Sequence, residues 1–489
     1  MDTINGKKNT QIIIMRILHI NTYQTGGAAL CMLRIGRALQ KQGVECRYLT
    51  MNGDNNKYTT VAVGDTNIWS KNKIVYFFQQ TLFLLGIKPK YIKLRQRLKN
   101  AQSKNKEHIF ATLPLSFYRS LSSHPWVKEA EIIHVHWIGN FVDFPTFFKN
   151  INKPIVWTLH DLNPILGCIH YLALDHKIPS LLNNLEKECS KIKQHSLCNI
   201  KNINVVAISK QMRKAISTSK SLGKYNITLI NNGVDTEKFI PHDRKAMRRE
   251  FNIPSEAIVL IFSSQSLDDP RKGFKELTIA LESLNIQNLF LLCIGHYKQT
   301  PQASFPIMCT GFISDETILS KYYSSADYLV MPSFQEGFAQ TSLEAMSCGV
   351  PVIAFPCSGT DDLINEKNGI ICNDFSIKSL AEGILKAINN KYNYYSIRED
   401  IIKRFSYDNI AKQYINLYKT ILQNNNLPET NNEFSKLNYE IINQQRVEHK
   451  KQLELFSQLD ERRNFYKMVL THPRYIAGWI KRKIQRLFK

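Results

Sequence analysis

Short apolar runs alternate with amphipathic stretches along most of the chain, in two successive series. An apolar run of four to eight residues is typical of a buried strand, and an apolar period of 3.6 residues indicates a helix. The alternation therefore predicts two doubly wound α/β domains with parallel sheets. Strands are predicted at 12–20, 47–51, 132–136, 155–159, 205–208 and 228–230, and then at 258–262, 290–294, 328–331 and 352–355. Helices are predicted at 30–42, 274–284, 315–324, 340–347 and 377–389.

Turn-forming residues divide the chain into segments. Asn-Asn-Gly-Val-Asp at 231–235 has turn chemistry and marks the boundary between the two domains. The first domain carries an insertion, and the last helix of the second domain is a candidate to cross back to the first. A polar linker rich in helix breakers then leads to a charged, mostly helical tail. The predicted segments are 15–235 with an insertion at about 65–125, 236–423, 424–432 and 433–489.

Composition adds constraints on partners and compartment. The formal net charge is +23, which either reflects a basic proteome or favours an anionic membrane surface or a polyanionic ligand. Nucleic acid is disfavoured, because the chain has no zinc-finger or RNA-recognition signature. The ten cysteines lie scattered, several in apolar segments, which indicates a reducing compartment. No apolar run reaches the length of a membrane-spanning helix.

Two carboxylates stand eight positions apart in Glu-Gly-Phe-Ala-Gln-Thr-Ser-Leu-Glu, which begins at Glu336 and ends at Glu344. They follow a predicted strand, and the ligands of an open α/β sheet sit at the carboxyl ends of its strands. A carboxylate pair can serve as acid and base, as metal ligands or as acceptors for hydroxyl groups. The chain contains no Asp-x-Asp, which disfavours a metal site. Hydroxyl binding fits this pair best.

Three further motifs occupy the ends of predicted strands. Gly27 belongs to a Thr-Gly-Gly-Ala-Ala turn, where backbone can approach a ligand closely and helix amides can face an anion. Lys272 lies in Arg-Lys-Gly before a helix, a placement that suits a diphosphate. His160, followed by an aspartate, closes an apolar strand. Taken singly, each motif is more often an ordinary turn, a solvated loop or a structural histidine than a binding site.

Together these motifs resemble the family 4 retaining glycosyltransferases, also called glycosyl transferases group 1, which have the two-Rossmann GT-B fold. The resemblance covers about residues 15–420. Its most specific element is the acid-x7-acid motif from Glu336 to Glu344. Supporting matches follow in the family's order: Gly-Gly-Ala at 26–28, His-Asp at 160–161, Ser-Lys at 209–210, Asn-Gly-Val-Asp at 232–235, Arg-Lys-Gly at 271–273 and Asn-Gly at 368–369.

The resemblance implies a role for each matched position. Glu344 would bind the ribose hydroxyls of a nucleotide-sugar donor, and Glu336 would hold hydroxyls of the transferred sugar. Lys272 would neutralise the leaving diphosphate, and His160 would reach the donor sugar from the first domain. The other donor-binding positions implied are Arg271, Gly337, Phe338, Ala339, Gly27 and Asn232. Transfer would retain the anomeric configuration with no enzyme nucleophile and no divalent metal, and the nucleotide sugar would be a substrate rather than a cofactor.

Two features depart from a simple match. Ser266 stands where the family usually has an arginine, six positions before the lysine, and Arg271 is the candidate replacement for the missing charge. The other feature is a set of side chains that could bind zinc, with packed free thiols as the alternative. This set consists of Cys168, His170, Cys189 and Cys198.

The end of the chain has the pattern of a basic amphipathic helix with Trp479 on its apolar face. Such a helix suits an anionic membrane interface, although packing on the protein's own surface is an equal alternative. We therefore expect a cytoplasmic protein, peripheral on the inner face of the membrane. It would transfer hexose to a glycan or polyprenyl-linked acceptor in capsule, exopolysaccharide or O-antigen assembly. A nucleotide-sugar epimerase of the same architecture and a catalytically weak scaffold that binds glycan or membrane stay open as alternatives.

Overall fold

The structure is a computed structural model that describes residues 15–51, 60–61, 90–104, 110–119, 121–172 and 177–425. Within these ranges the chain forms two parallel sheets with helices on both faces. This is the doubly wound architecture that the apolar alternation predicts. The predicted tail at 433–489, and with it the amphipathic helix, lies outside the described residues, as does part of the predicted insertion.

The first sheet has seven parallel strands in the order β3-β2-β1-β4-β5-β6-β7. Its strand order reverses between β1 and β4, which is where open sheets form their ligand crevice. The strands are β1 (Arg16–Asn21), β2 (Glu45–Thr50), β3 (Thr60–Val61), β4 (Ile132–Val135), β5 (Ile155–Leu159), β6 (Ile203–Ala207) and β7 (Asn226–Leu229). The helices of this half are α1 (Gly27–Lys41), α2 (Lys90–Lys104), α3 (Pro125–Glu129), α4 (Phe144–Lys149), α5 (Asn183–Leu197) and α6 (Lys210–Ser217).

The second sheet has six parallel strands in the order β10-β9-β8-β11-β12-β13 and reverses between β8 and β11. Its strands are β8 (Ile258–Ser266), β9 (Leu289–His296), β10 (Ile307–Cys309), β11 (Tyr328–Met331), β12 (Val352–Ala354) and β13 (Gly369–Ile371). The helices are α7 (Arg244–Glu250), α8 (Phe274–Glu282), α9 (Glu316–Ser325), α10 (Gln340–Ser347), α11 (Thr360–Leu363), α12 (Ile377–Ile388), α13 (Tyr394–Phe405) and α14 (Tyr407–Asn425). Three short 3-10 turns lie at Leu121–Ser123, Ser180–Leu182 and Pro270–Lys272.

Helix α14 returns from the second half of the chain to the first sheet. Its side chains share one buried apolar cluster with residues of β1, α1 and β2, including Ile17, Met32, Ile410 and Tyr418. Burial of that apolar face is the main force that holds the helix there. The first sheet is therefore covered on one face by a helix from the far end of the described chain.

The structure has three strands that the apolar pattern did not predict, β3, β10 and β13, and several predicted strands differ from the structure at their ends. Strand β8 runs to Ser266, although the apolar pattern ends at Phe262, because the polar residues beyond it still pair with β9. The strand predicted at 12–20 begins at Arg16, and residues 11–14 lie outside the described ranges. Apolar periodicity detects burial, and the ladder of backbone hydrogen bonds can extend past it.

Candidate active site

The carboxyl ends of the two sheets meet at a closed cleft. Gly337, after β11, lies against the first domain so closely that a Cβ atom there would overlap the carbonyl oxygen of His160. Nearby, the Gln335 side-chain amide donates a hydrogen bond to the Leu172 carbonyl at 2.8 Å. The hydroxyls of Ser209 and Ser358 also meet across the cleft at 2.8 Å. The predicted residues Gly337 of the second domain and His160 of the first thus lie in contact across the cleft.

Lys272 and Glu336 form the polar centre of the cleft. The Lys272 Nζ atom lies 2.5 Å from Glu336 Oε1, and both side chains are largely buried, at 25% and 16% exposure. The neighbouring backbone fixes this pair, because the Phe334 amide donates to the Arg271 carbonyl at 2.8 Å. Gly273 has a positive φ of 70° and packs so closely on the Pro332 carbonyl that no side chain fits there.

Arg271 points away from its lysine neighbour. Its guanidinium pairs with Asp269, Nη2 to Oδ2 at 2.7 Å, and lies over the ring of Tyr171 at 4.5 Å from the ring centroid. The ring belongs to the first domain, so Arg271 spans the cleft at its rim. Ser266, at the position of the expected arginine, accepts a hydrogen bond from the Asp268 amide at 3.2 Å. The cation nearest the acidic pair is accordingly Lys272, and Arg271 has an acidic partner of its own.

Glu344 occupies a separate, buried position on α10. Its side chain is 8% exposed and forms an ion pair with Arg34 of α1, Oε1 to Nη1 at 3.6 Å. The Tyr323 hydroxyl approaches its other oxygen at 3.4 Å. Arg34 also pairs closely with Glu316. One first-domain arginine thus holds two carboxylates of the second domain.

Arg34 was missed by the motif search, because its partners are distant in sequence. A helical signal does exist: Arg34 follows Gly27 by two helical turns and so lies on the same face of α1. Cys31 shares that face, and its sulfur lies 3.9 Å from the Gln340 side-chain oxygen of the second domain. The face of α1 that begins with the predicted Gly27 is therefore the face that meets α10.

Removing the Glu344 charge is expected to change how stability depends on pH. Burial raises the pKa of this carboxyl to about 7, against the opposing effect of Arg34. The folded protein therefore takes up a proton that an unfolded glutamate, with a pKa of 4.5, would release. The sign follows from linkage: this residue makes folding less favourable as pH rises from about 4.5 to 7.

A Glu344→Gln variant lacks that penalty, so its unfolding temperature relative to wild type should rise between pH 5 and pH 8. Thermal unfolding at both pH values measures the difference, with the exposed Glu366→Gln as the matched control. If the difference in unfolding temperature between wild type and variant did not change with pH, the buried, proton-binding state of Glu344 would be contradicted.

The remaining predicted residues line the cleft at several points. Gly27 opens α1, with no atom within 4 Å of an added Cβ. Asn232 is 5% exposed, and its Oδ1 has no hydrogen-bond partner within the described ranges. Phe338 and Ala339 are buried directly before α10. Their backbone amides stand at the start of that helix, where its dipole favours negative charge.

His160 directly follows β5 and is half-buried at the cleft. Burial lowers its pKa to about 4, although Asp161 opposes this, so the imidazole is neutral at pH 7. The Asp161 carboxylate turns elsewhere: it accepts hydrogen bonds from Trp137 Nε1 at 2.7 Å and meets His170 Nδ1 at 2.6 Å. On the other side, His160 Nε2 lies 3.1 Å from His136 Nδ1. Motif reading singled out His160 and took His136, behind it, as the end of the strand predicted at 132–136.

The cysteine and histidine set considered for zinc is dispersed. Cys168 and Cys189 are buried in a cluster of apolar side chains, His170 is engaged by Asp161, and Cys198 is exposed at the end of α5. All ten cysteines are free. Within the described ranges, the group with spacing suited to a metal is His19, His134 and His136. Packed thiols are the arrangement seen for Cys168 and Cys189.

Two protein-family models match the chain, one in each of its two domains. Residues 25–238 match the family model described as Glycosyltransferase Family 4, and residues 243–405 match the model described as Glycosyl transferases group 1. In the part of the chain that the structure describes, no helix is long and apolar enough to cross a bilayer.

Three similar proteins illustrate the range of relatives. An uncharacterized glycosyltransferase of Methanocaldococcus jannaschii is 25% identical over 318 residues, covering 61% of this chain and 77% of the relative. A capsular polysaccharide biosynthesis glycosyltransferase of Staphylococcus aureus is 25% identical over 245 residues, 45% of this chain and 62% of that protein. The latter is thus matched over less than two thirds of its own length.

The crystal structure of Anabaena HepE in complex with UDP and glucose superposes with a TM-score of 0.56 at 16% identity, covering 83% of this chain and 100% of the other. At that identity the likeness shows the fold alone, which is GT-B. The family matches agree with the motif resemblance from Glu336 to Glu344 and with the two facing sheets. The chain thus carries two glycosyltransferase domains, one of Glycosyltransferase Family 4 at residues 25–238 and one of glycosyl transferases group 1 at residues 243–405.

Proposed function

We propose that the protein transfers a sugar from a nucleotide-sugar donor to a glycan acceptor on a lipid carrier, in bacterial surface polysaccharide assembly. Transfer would retain the anomeric configuration and would need no divalent metal. The observation that carries the proposal is the Lys272–Glu336 pair, 2.5 Å apart at the point where Gly337 meets His160. The pair offers an ammonium group for a diphosphate and, beside it, a carboxylate that can accept hydrogen bonds from the hydroxyls of the attached sugar.

The proposed roles follow from these positions. Lys272 stabilises charge on the leaving diphosphate, while the carboxylate of Glu336 accepts hydrogen bonds from sugar hydroxyls. Glu344 binds the ribose hydroxyls, with Arg34 at 3.6 Å as a counter-ion that favours its ionised form. Closure of the two domains orients donor and acceptor, which supplies a large part of the rate enhancement. The acceptor hydroxyl attacks the anomeric carbon on the face from which the diphosphate leaves, so that no enzyme nucleophile is required. The leaving phosphate accepts the hydroxyl's proton and so takes the place of an enzyme base.

Support for the substrate classes comes from the relatives. HepE was crystallised with UDP and glucose, which supports a nucleotide-sugar donor. The Staphylococcus aureus relative is named for capsular polysaccharide biosynthesis, which supports a surface glycan as product. The basic amphipathic pattern of the tail supports an encounter with the inner membrane face, where a polyprenyl-linked acceptor resides. Arg271, at the rim beside Tyr171, and Asn232, between the sheets, complete the proposed donor-binding set.

A thermal-shift screen tests the donor site. UDP-, ADP-, GDP- and dTDP-sugars are added to wild type, to Glu344→Ala and to the exposed control Glu366→Ala. A bound nucleotide at 100 times its Kd stabilises the native state by about 2.7 kcal/mol. We expect one base to raise the unfolding temperature of wild type and control, and to have little effect on Glu344→Ala, which lacks the ribose acceptor.

Equal stabilisation of Glu344→Ala and wild type would contradict the proposed ribose role. Product analysis with the selected donor alone separates the alternative activity, because an epimerised nucleotide sugar formed without any acceptor would identify an epimerase. A protein that binds no nucleotide sugar in the screen would match the scaffold alternative.

A further inference from the structure

Histidines line the reversal point of the first sheet in a connected row. His19 lies on β1 and pairs in register with His134 of the adjacent β4. Two residues further along, the His136 Nε2 atom lies 3.0 Å from His19 Nδ1. Its other nitrogen, Nδ1, lies 3.1 Å from Nε2 of His160 at the cleft. The row therefore runs from the sheet interior to the candidate active site.

The three imidazoles of this row are neutral. His19 and His136 are buried, and burial lowers the pKa of His19 to about 3 and that of His136 well below its ordinary value. A neutral imidazole has one N–H donor and one bare nitrogen that accepts. Each of the two N···N contacts must therefore join a donor to an acceptor. Only two proton arrangements satisfy both contacts. In one, all three histidines carry their proton on Nδ1; in the other, all three carry it on Nε2.

His19 selects between these arrangements. Its Nε2 is buried and has no hydrogen-bond partner within the described ranges, while the ring of Tyr48 stacks beside it at 5.4 Å. Orphaned N–H groups are the rarest unsatisfied polar groups in protein interiors, so Nε2 is the bare nitrogen. His19 Nδ1 then donates to His136 Nε2, and His136 Nδ1 donates to His160 Nε2. His160 is left with its proton on Nδ1.

We propose that His136, held by His19, is a positioning residue that fixes His160 as a neutral Nδ1–H donor at the cleft. In the described part of the chain, Nδ1 of His160 has no protein partner, so it is the nitrogen available to a ligand. Given the proposed function, it would donate to an oxygen of the donor sugar. A nitrogen that already carries a proton cannot act there as a general base, which assigns His160 to binding and orientation.

A metal ion is a poorer explanation of the same histidines. His134 already uses both nitrogens: Nδ1 meets the Tyr418 hydroxyl at 2.7 Å, and Nε2 meets the Thr158 hydroxyl at 2.8 Å. Among the nitrogens of His19, His134 and His136, only His19 Nε2 lacks a protein hydrogen bond within the described residues. The metal-spaced group includes no carboxylate to offset a buried dication.

Nitrogen NMR of the full chain labelled with ¹⁵N-histidine tests the assignment, since ¹⁵N shifts distinguish a protonated from a bare imidazole nitrogen. The His160 signals are identified as those lost in His160→Gln. We expect wild-type His160 to be neutral with its proton on Nδ1. His136→Phe removes the donor to Nε2, so a second form with the proton on Nε2 should appear. His134→Phe, outside the row, should leave the His160 signals unchanged.

A wild-type His160 protonated on Nε2, or stoichiometric zinc in the purified protein, would overturn the proposal even if the variants failed to fold. Donor turnover should fall about ten- to a hundredfold in His136→Phe, the scale seen when a partner that orients a histidine is lost. His136→Asn, which can again offer an N–H toward His160, should recover part of it. The tautomer measurement needs no ligand, so a failure of the proposed function in the donor screen would leave this result standing.

Discussion

Replacing Lys272 with alanine is expected to lower donor turnover about 100- to 1000-fold, the range measured when one preorganised group facing a developing negative charge is removed. Lys272 is the cation closest to Glu336, at 2.5 Å, and the neighbouring Arg271 is already paired with Asp269 at 2.7 Å. No adjacent side chain is therefore placed to take over the diphosphate. The loss should fall mainly on kcat, because charge on the leaving group is greatest in the transition state.

Steady-state kinetics with the donor selected by the thermal-shift screen measure the effect. Lys275→Ala is the matched control, because this lysine lies three residues further along, in the first turn of α8, and is exposed. Lys272→Arg keeps the charge in a larger, planar form and should recover only part of the rate. Full activity in Lys272→Ala would remove the diphosphate role from this residue and, with it, the observation on which the proposed function rests.

Replacing Gly337 with alanine should leave both domains folded and still reduce transfer about a hundredfold. The added methyl group would overlap the carbonyl oxygen of His160, and the next nearest atoms are the carbonyl carbon of His160 at 3.3 Å and Ile208 Cδ1 at 3.4 Å. The obstacle is backbone of the opposite domain, so a change of rotamer cannot relieve it. The clash lies between the two domains, and a displacement of about 1 Å is enough to cost about two orders of magnitude in rate.

The comparison variant is Glu366→Ala, at an exposed position outside the proposed site. Both variants should unfold at nearly the wild-type temperature, whereas only Gly337→Ala should show the full loss of turnover. Small-angle scattering with the nucleotide present measures closure directly, and Gly337→Ala should remain more extended than wild type. Wild-type turnover in Gly337→Ala would mean that the closed contact with His160 is not required for transfer.

The chemistry of this site was more predictable from sequence than its geometry. The apolar pattern predicted a strand at 328–331 and a helix at 340–347, and the structure has β11 and α10 at those residues. Glu336 and Glu344 were identified because their spacing is local and falls where these elements meet. Arg34 was not, because its pairing with Glu344 joins residues 310 positions apart (344 − 34), and no local pattern encodes such a contact.

The histidine row illustrates the same limit. His136 appeared in the sequence as the end of an apolar strand, and nothing within β4 signals that it bridges His19 and His160. That relation depends on which strands are neighbours, and the order β1-β4-β5 emerges only from the crossover connections. A sequence pattern predicts which face of a strand is buried, whereas the identity of the facing side chain requires the sheet order.

The return of α14 to the first sheet has a consequence for biosynthesis. Ile410, Tyr414 and Tyr418 complete an apolar core whose other members include Ile17 and Met32. After Leu229, the last residue of the first sheet, a ribosome must therefore translate nearly 190 further residues, as far as Tyr418, before the amino-terminal half can finish its interior. Domains usually fold as units in the order of synthesis. Here the nascent first half would leave this apolar surface uncovered until the second half has emerged, which makes it the stage of synthesis most in need of a chaperone.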